Sequence, residues 1–195
     1  TCSIGVIKQS IDKQQEKDII TGLKLLPGLI NETLLQENLI QKLATRFVNK
    51  NSALFLGRGT MYAIAMEGAL KLKEISYIHA EAFPAGELKH GPIALIDNSI
   101  PVIAVAPNDE LLTKLKSNLQ EVKSRGSQMI VFEDKHSKVK PMQGMDVIPI
   151  TSNLGRITAP IIFTIPLQML SYHVALIKGT DVDKPRNLAK SVTVE

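Results

Sequence analysis

Residues 53–75 decide the fold and read ALFLGRGTMYAIAMEGALKLKEI. The short apolar run Ala53–Leu56 predicts a buried strand, which the glycine turn Gly57-Arg58-Gly59-Thr60 closes. From Met61 to Ile75 the apolar residues recur at helical spacing, and Thr60 is a residue type that caps helices. A buried strand, a glycine turn and a helix are the first unit of a parallel α/β sheet.

Further strands and helices follow from the same kinds of signal. Short apolar or β-branched runs between turn residues predict strands at Tyr77–Glu81, Pro101–Ala106, Met129–Phe132 and Val147–Ile150, which gives about five strands. Helical spacing predicts helices at about Asp109–Ser124 and Thr158–Lys178, the second ending at Gly179. The expected fold is a three-layer, doubly wound α/β/α domain with a mostly parallel sheet, whose ligands bind at the carboxyl ends of the strands.

Helices are also expected before this domain. Apolar residues recur at helical spacing from Asp18 to Leu35, where Pro27-Gly28 breaks or bends the pattern, and Asn38 can cap a second helix that runs to about Val48. The last stretch of the chain is polar and hard to pack. The expected division is the end of an earlier element at 1–17, connecting and packing helices at 18–50, the α/β domain at 51–179 and a tail at 180–195.

Length and composition indicate a globular domain without a nucleic-acid site. At 195 residues the chain can bury a full core, and its 44% hydrophobic and 22% charged residues are near globular averages. Aromatic residues make up only 4%, with no Trp, which argues against a platform for stacking bases. The net charge of +4 is spread along the chain, so we expect no nucleic-acid partner.

Neither a membrane span nor a disulfide framework is expected. The run Ile157–Ile177 has the length that a bilayer requires, but Pro160, Pro166 and several polar residues interrupt it, which favours a buried helix. No signal-peptide pattern opens the sequence. Cys2 is the single cysteine, so no disulfide can form within the chain, and a cytoplasmic location is favoured.

Residues 67–92 concentrate groups that can move protons and read EGALKLKEISYIHAEAFPAGELKHGP. Lys71 and Glu74 are three residues apart on the predicted helix, so their side chains can share a face. The carboxylate can act as a base, while the lysine holds it ionised or shuttles a proton. A solvated surface pair is the alternative, and it is the commoner use of this spacing.

Two turns carry further candidates. His90 lies in Lys89-His90-Gly91-Pro92, where glycine and proline fix a sharp loop, and histidine exchanges protons near neutral pH. A structural or merely exposed histidine is the alternative. Gly57-Arg58-Gly59 opens a helix and could face an anion, but Tyr62 stands where a dinucleotide fingerprint needs its third glycine, so a tight turn is equally open.

A lysine is the remaining candidate for a nucleophile. The sequence contains no GxSxG or HExxH pattern and no Cys/His arrangement for hydrolysis, and we expect neither a metal nor a cofactor. Lysine can act through a Schiff base with a carbonyl substrate. Lys190 lies near the chain end in Asn187-Leu188-Ala189-Lys190-Ser191, where a lysine is usually only solvated.

Three segments closely resemble one known family. The segments are LFLGRG at 54–59, residues 67–92 and the ending DVDKPRNLAKSVTVE at 181–195. They are similar to the C-terminal part of the glutamine-fructose-6-phosphate aminotransferases (isomerizing), or glucosamine-6-phosphate synthases. The resemblance runs from about Asp18 to Glu195 and implies the second of two sugar isomerase (SIS) domains, with a flavodoxin-like fold. Residues 1–17 then resemble the remnant of the helix that links the two domains.

The resemblance implies a role for each matched residue in the reaction of fructose 6-phosphate and glutamine to glucosamine 6-phosphate and glutamate, the first step of amino-sugar biosynthesis. Glu74 would move the proton between C1 and C2, with Lys71 beside it. His90 would help to open the sugar ring in the neighbouring subunit of a homodimer. Lys190, on a mobile tail, would form the Schiff base, and Ala189 would contact the sugar through its backbone.

Two other functions stay open beside this one. The glutaminase domain and the first SIS domain of the family, which holds the sugar phosphate, are not in this sequence, so the isolated chain is not expected to complete the reaction. A sugar-phosphate-binding SIS module of a transcription regulator is the alternative, and a structural dimerisation domain is a third. The ending NLAKSVTVE favours the enzyme, because a sensor has no use for a Schiff-base lysine.

Overall fold

The computed structural model describes residues 2–151 and 157–188. Within them five strands form one sheet in the order β2-β1-β3-β4-β5, and every neighbouring pair is parallel. The strands are β1 Ser52–Gly57, β2 His79–Pro84, β3 Val102–Ala106, β4 Met129–Asp134 and β5 Met145–Ile150. All five predicted strands are confirmed, with small shifts at their ends.

Helices connect and cover the strands. They are α1 Cys2–Ile7, α2 Lys13–Leu34, α3 Glu37–Ala44, α4 Thr60–Ser76, α5 Leu112–Lys123 and α6 Ala159–Lys178, with short 3-10 helices at Thr45–Phe47, Ala85–His90 and Pro92–Leu95. Helix α4 joins β1 to β2, and α5 joins β3 to β4, as parallel neighbours require. The predicted helices over 61–75, 109–124 and 158–178 are therefore confirmed.

Each face of the sheet has its own hydrophobic core, because successive strand residues point to opposite sides. Phe55 and Phe132 lie in one core with side chains of α3, α4 and α6. Leu56 and Val131 lie in the other core with side chains of α5 and of the 3-10 helix that ends at His90. The predicted three-layer α/β/α architecture is confirmed by these two cores.

Helix α2 begins earlier than predicted, at Lys13 rather than Asp18. Asp12 Oδ1 accepts a hydrogen bond from Gln15 N at 2.8 Å, and Gln15 Oε1 accepts one from Asp12 N at 2.8 Å. This reciprocal capping box satisfies two backbone donors at the helix start. Residues 13–17 thus belong to α2.

The sequence predicted that Pro27-Gly28 would break or bend the helical pattern, and a break is wrong, since α2 continues through both residues. Leu26 is buried, and Leu29 and Ile30 pack against the same core, so the helix is held on both sides of the proline. The predicted cap at Asn38 is also wrong. Helix α3 begins at Glu37, which leaves Asn38 inside its first turn.

The sequence suggested Thr60 as the cap of α4, but Thr60 is the first residue of the helix. The cap position is Gly59, whose φ of 57° lies in the left-handed region that glycine adopts without strain. Gly57 has a different constraint, because a Cβ there would lie 2.1 Å from the Met61 carbonyl oxygen. The glycines therefore serve a tight junction between β1 and α4.

Helix α6 is the buried C-terminal helix that the sequence predicts. By length and composition alone it could cross a membrane, but half of its most apolar stretch is buried within the domain. Phe163, Leu167 and Leu170 are fully buried. Gly179 ends the helix with a φ of 70°.

Candidate active site

Lys71 and Glu74 form the contact that their spacing predicts. Lys71 Nζ donates a hydrogen bond to Glu74 Oε2 at 2.7 Å, while Glu67 Oε1 lies 3.9 Å from the same nitrogen. The side chains of Lys71 and Glu74 are 34% and 26% exposed, so the pair is partly shielded from solvent. A carboxylate so placed is shielded yet still reachable by a small molecule.

Lys71 is held in its charged form. The hydrogen bond to Glu74 raises the pKa of Lys71 above its ordinary 10.5, and the charges of Glu74 and Glu67 add to this effect, against the opposing effect of burial. An ammonium group carries no free electron pair, so Lys71 is suited to orient a carboxylate and unsuited to attack a carbonyl.

A cavity of about 560 Å³ opens beside this pair. Its lining comes from three parts of the fold, namely the end of α4, helix α6 and the segment that follows α6. The lining residues are Lys71, Glu74, Ile75, Gln168, Val182, Asp183, Lys184, Pro185 and Leu188. This volume is in the range of small-molecule sites, and the charged groups in the wall suit a polar ligand.

Residues 180–188, here called the tail segment, fold back against α4. Thr180 Oγ1 lies 2.5 Å from the Ile75 carbonyl oxygen, to which it donates, and Thr180 N donates to the Ala175 carbonyl oxygen at 3.1 Å. Asp181 Oδ1 accepts hydrogen bonds from the backbone N–H groups of Asp183 and Lys184, each at 2.9 Å. The tail segment therefore makes specific hydrogen bonds, although none of its residues is buried.

The far end of the tail segment contacts the residue that ends α4. Arg186 N donates a hydrogen bond to Tyr77 Oη at 2.9 Å, and the Arg186 guanidinium lies 4.1 Å from the centroid of the Tyr77 ring. Neither residue was predicted to have a role. The segment thus spans the cavity between a contact at Thr180 and a contact at Arg186.

His90 lies apart from Glu74 within one chain. It ends the 3-10 helix Ala85–His90, its side chain is 76% exposed, and it does not line the cavity. Its Nε2 lies 3.8 Å from Glu87 Oε2. The neighbouring Lys89 ties this helix to α5 through Glu121, with a distance of 2.9 Å between Nζ and Oε1. His90 is therefore a surface group available to another molecule.

The two predicted site residues at the chain end, Ala189 and Lys190, lie outside the described residues. Leu188, the last residue described, lines the cavity. Gln168 and Lys184 also line it, and neither could be singled out from the sequence, because both reach the cavity through contacts between distant segments.

The cavity does not lie at the carboxyl ends of the strands, where a ligand was expected. Helix α4 runs back along the sheet, and His79, which begins β2, pairs with Ser52, which begins β1. Glu74 therefore lies toward the amino edge of the sheet. At the carboxyl end of β1, Arg58 Nη1 donates to Asn118 Oδ1 at 3.0 Å, and the glycines there serve close packing.

Groups with metal-ligand chemistry do not gather in the described part of the chain. Across residues 2–151 and 157–188, no three His, Cys, Asp or Glu side chains lie together as a metal site would require. The arrangement beside Glu74 instead offers a carboxylate, an ammonium group and an amide, which suits proton transfer to and from a polar ligand.

Known proteins show where such a chain belongs. A family model described as SIS domain matches residues 46–178. The glutamine-fructose-6-phosphate aminotransferase (isomerizing) of Pectobacterium atrosepticum is 60% identical over 187 residues, which is 96% of this chain and 30% of that protein. The protein of the same name from Escherichia coli K12 is 59% identical over 187 residues, again 96% of this chain and 30% of that protein.

Solved structures agree with this match. The C-terminal domain of glucosamine-fructose-6-phosphate aminotransferase from Francisella tularensis superposes with a TM-score of 0.90 and 50% identity, over 94% of this chain and 51% of that one. The chain spans about 30% of the length of the two curated relatives described above. The chain belongs to the SIS domain family, and it matches the C-terminal part of the glutamine-fructose-6-phosphate aminotransferases.

Proposed function

We propose that this chain is the second SIS domain of a glutamine-fructose-6-phosphate aminotransferase, which converts fructose 6-phosphate and glutamine to glucosamine 6-phosphate and glutamate. The observation that carries the proposal is the Glu74 carboxylate, hydrogen-bonded by Lys71 at 2.7 Å, in the wall of a cavity of about 560 Å³. The names of the relatives supply the substrates.

Glu74 acts as the base. Conversion of a ketose to an aldose needs a proton moved from C1 to C2, and one carboxylate can serve both carbons because they are bonded neighbours. Lys71 keeps its positive charge, since its pKa is raised, and fixes the orientation of the carboxylate through their hydrogen bond. Proton transfer of this kind requires neither a metal nor a cofactor.

The other groups come from outside the described residues or from a second chain. Lys190 forms a Schiff base with the sugar carbonyl, and Ala189 contacts the sugar through its backbone. His90 assists ring opening in the site of the neighbouring subunit of a homodimer, a role that its 76% exposure permits. Ammonia released from glutamine attacks C2 of the Schiff base and displaces the Lys190 amine, which leaves an imine for Glu74 to isomerise, and a covered site keeps the ammonia from water.

The remaining parts of the enzyme lie in the length of the relatives that this chain does not span. Those relatives are more than three times as long as the matched region, which covers 30% of them. The missing part holds the glutaminase domain and the first SIS domain, which grips the sugar phosphate, so this chain alone does not complete the reaction. A cytoplasmic enzyme without nucleic-acid or membrane partners fits the sugar-phosphate substrate.

The base is tested by Glu74→Gln in the full-length protein, with fructose 6-phosphate in deuterated water. Exchange of the C1 proton should fall by about 10²–10⁴-fold, the usual contribution of a general base, while sugar binding survives. Glu67→Gln is the matched control, since Glu67 also neighbours Lys71 but does not line the cavity. Undiminished exchange in Glu74→Gln would exclude Glu74 as the base.

The Schiff base is tested separately. Borohydride should trap fructose 6-phosphate on the wild-type full-length protein and not on Lys190→Ala. Trapping that persists in the variant would assign the Schiff base to another lysine. A wild-type protein that binds the sugar but neither exchanges its protons nor is trapped would instead be a sugar-phosphate sensor.

A further inference from the structure

Tyr77 occupies an unusual position at the end of α4. Its φ of 59° and ψ of 17° are left-handed, and its N–H donates to the Lys73 carbonyl oxygen at 3.2 Å. Glycine is the residue that this helix-terminating position ordinarily favours, because it has no Cβ to clash. A tyrosine here is only three residues beyond Glu74, so whatever its side chain holds is held near the candidate base.

The tyrosine side chain fixes Arg186 in two independent ways. The phenol oxygen accepts the backbone N–H of Arg186 at 2.9 Å, which fixes the path of the chain. The ring face lies 4.1 Å from the Arg186 guanidinium carbon, a cation–π distance. One contact uses the backbone and the other uses the side chain, so each can be removed without the other.

The two contacts between Tyr77 and Arg186 hold the end of the tail segment that is farther from Thr180. Thr180 attaches the near end of the tail segment to the Ile75 carbonyl, and the turn at Asp181 is local. Beyond them, residues 182–185 and Leu188 line the cavity. A polar, mostly exposed segment stays ordered only if its contacts offset the entropy lost on fixing it. At the far end of the tail segment, Tyr77 supplies both of the contacts described.

We propose that Tyr77 is a positioning residue that holds the tail segment in place as the wall of the Glu74 cavity. The proposal rests on the proposed function for its kinetic consequence only, since the contacts exist whatever the ligand. Tyr77 touches the wall and not the reacting atoms. Its removal should therefore loosen the segment and lower turnover, with a smaller effect on sugar binding.

Hydrogen exchange measured by mass spectrometry on the full-length protein tests the structural part. Tyr77→Phe removes the acceptor and keeps the ring, and Tyr77→Leu removes both. Exchange in peptides covering 180–188 should rise by about three- to tenfold in Tyr77→Phe, as expected for one lost hydrogen bond, and further in Tyr77→Leu. Arg186→Ala, which keeps the backbone N–H, should give a smaller rise.

Steady-state kinetics of the same full-length variants test the positioning part. We expect kcat to fall by about tenfold in Tyr77→Leu, with a smaller change in KM for fructose 6-phosphate and an intermediate effect in Tyr77→Phe. The control is Tyr172→Phe, which makes the same change on an exposed tyrosine of α6 outside the cavity lining. It should leave both exchange and kinetics unchanged.

The outcomes separate this inference from the proposed function. Unchanged exchange in Tyr77→Leu would overturn the anchoring role, and raised exchange with unchanged kcat would overturn the positioning role. A wild-type protein without aminotransferase activity would count against the proposed function alone, because the exchange measurement would still decide whether Tyr77 holds the segment.

Discussion

Lys71 Nζ lies 2.7 Å from Glu74 Oε2 and 3.9 Å from Glu67 Oε1, so one ammonium group stands between two carboxylates and is bonded to only one of them. The bonded carboxylate is the one that lines the cavity. The asymmetry supplies a natural comparison, since the two glutamates differ in their relation to the cavity and share the same lysine.

The Lys71–Glu74 contact predicts a loss of stability confined to strongly alkaline pH. The pKa of Lys71 is raised in the folded state, so its contribution to the free energy of unfolding is fully present below pH 10.5 and is lost as pH rises through the higher folded-state pKa. The contribution is only about 0.5 kcal/mol, because the pair is partly exposed and screened by solvent.

Urea unfolding of wild type and Lys71→Met, from about pH 8 to about pH 11, measures this contribution. The difference in unfolding free energy should be constant at first and shrink at the alkaline end. Lys73→Met controls for the loss of a lysine from the same helix. A difference that grew with pH would contradict the assignment.

Mixing two inactive variants tests whether His90 serves the neighbouring subunit. A mixed dimer of Glu74→Gln and His90→Asn chains has one site in which both residues are intact if His90 acts across the interface. About a quarter of wild-type activity should then return at equal mixing, since half of the dimers are mixed and each has one good site.

The same mixture stays inactive if His90 acts within its own chain, because each site then contains one altered residue. Co-expression of the two full-length variants with different affinity tags isolates the mixed dimer and makes the comparison direct. A Glu67→Gln chain in place of Glu74→Gln serves as the control.

Gly68→Ala should destabilise the domain despite favouring the helix. A Cβ at Gly68 would lie 2.8 Å from Leu167 Cδ1 and 2.9 Å from Phe55 Cε1, where α4 approaches α6 and the sheet. Alanine gains about 1 kcal/mol of helix propensity, but overpacking costs about 1–3 kcal/mol, so a net loss of about 1 kcal/mol is expected. Gly28→Ala in α2 is the matched control.

At Gly28 a Cβ would meet nothing within 4 Å, so the same substitution keeps only the helix gain. The urea midpoint of Gly28→Ala should rise, and its free energy of unfolding should increase by up to about 1 kcal/mol. Equal shifts at the two glycines would show that close packing of α4 and α6 does not limit the residue at 68.

Glu133 predicts a stability effect far from the cavity. Its Oε2 accepts hydrogen bonds from Ser137 Oγ at 2.5 Å and Val139 N at 2.7 Å, and the residue is 8% exposed. Glu133→Leu leaves the Val139 N–H unsatisfied and should cost about 1–3 kcal/mol in urea unfolding. Glu133→Gln, whose carbonyl oxygen still accepts, should recover part of this loss, and an equal loss in both would contradict the explanation.

The strands were predictable because a parallel strand buried on both faces is apolar throughout. Met129–Phe132 has this character, and turn residues bound it. The first residues of the helices were harder to predict. Thr60 has the side chain of a cap, but the left-handed backbone of Gly59 already turns the chain, and the capping box at Asp12 and Gln15 lies in a run that reads as polar linker.

The site was predictable only where it is local. Lys71 and Glu74 lie on one helix, so their spacing alone indicated the contact. Tyr77 and Arg186 are 109 residues apart, and no periodicity connects them. The location of the cavity also depended on the direction in which α4 runs back along the sheet, which placed Glu74 toward the edge opposite the expected one.

The hydrogen bond from Thr180 to the Ile75 carbonyl joins positions 105 residues apart, and nearly the whole sheet lies between them in the chain. Contacts of such sequence separation form late in folding, because the entropy of closing so long a loop is repaid only when the intervening elements are in place. We therefore expect the wall of the cavity to be completed after the strands have paired. A folding intermediate would carry Glu74 and Lys71 on a formed helix and still lack an enclosed site.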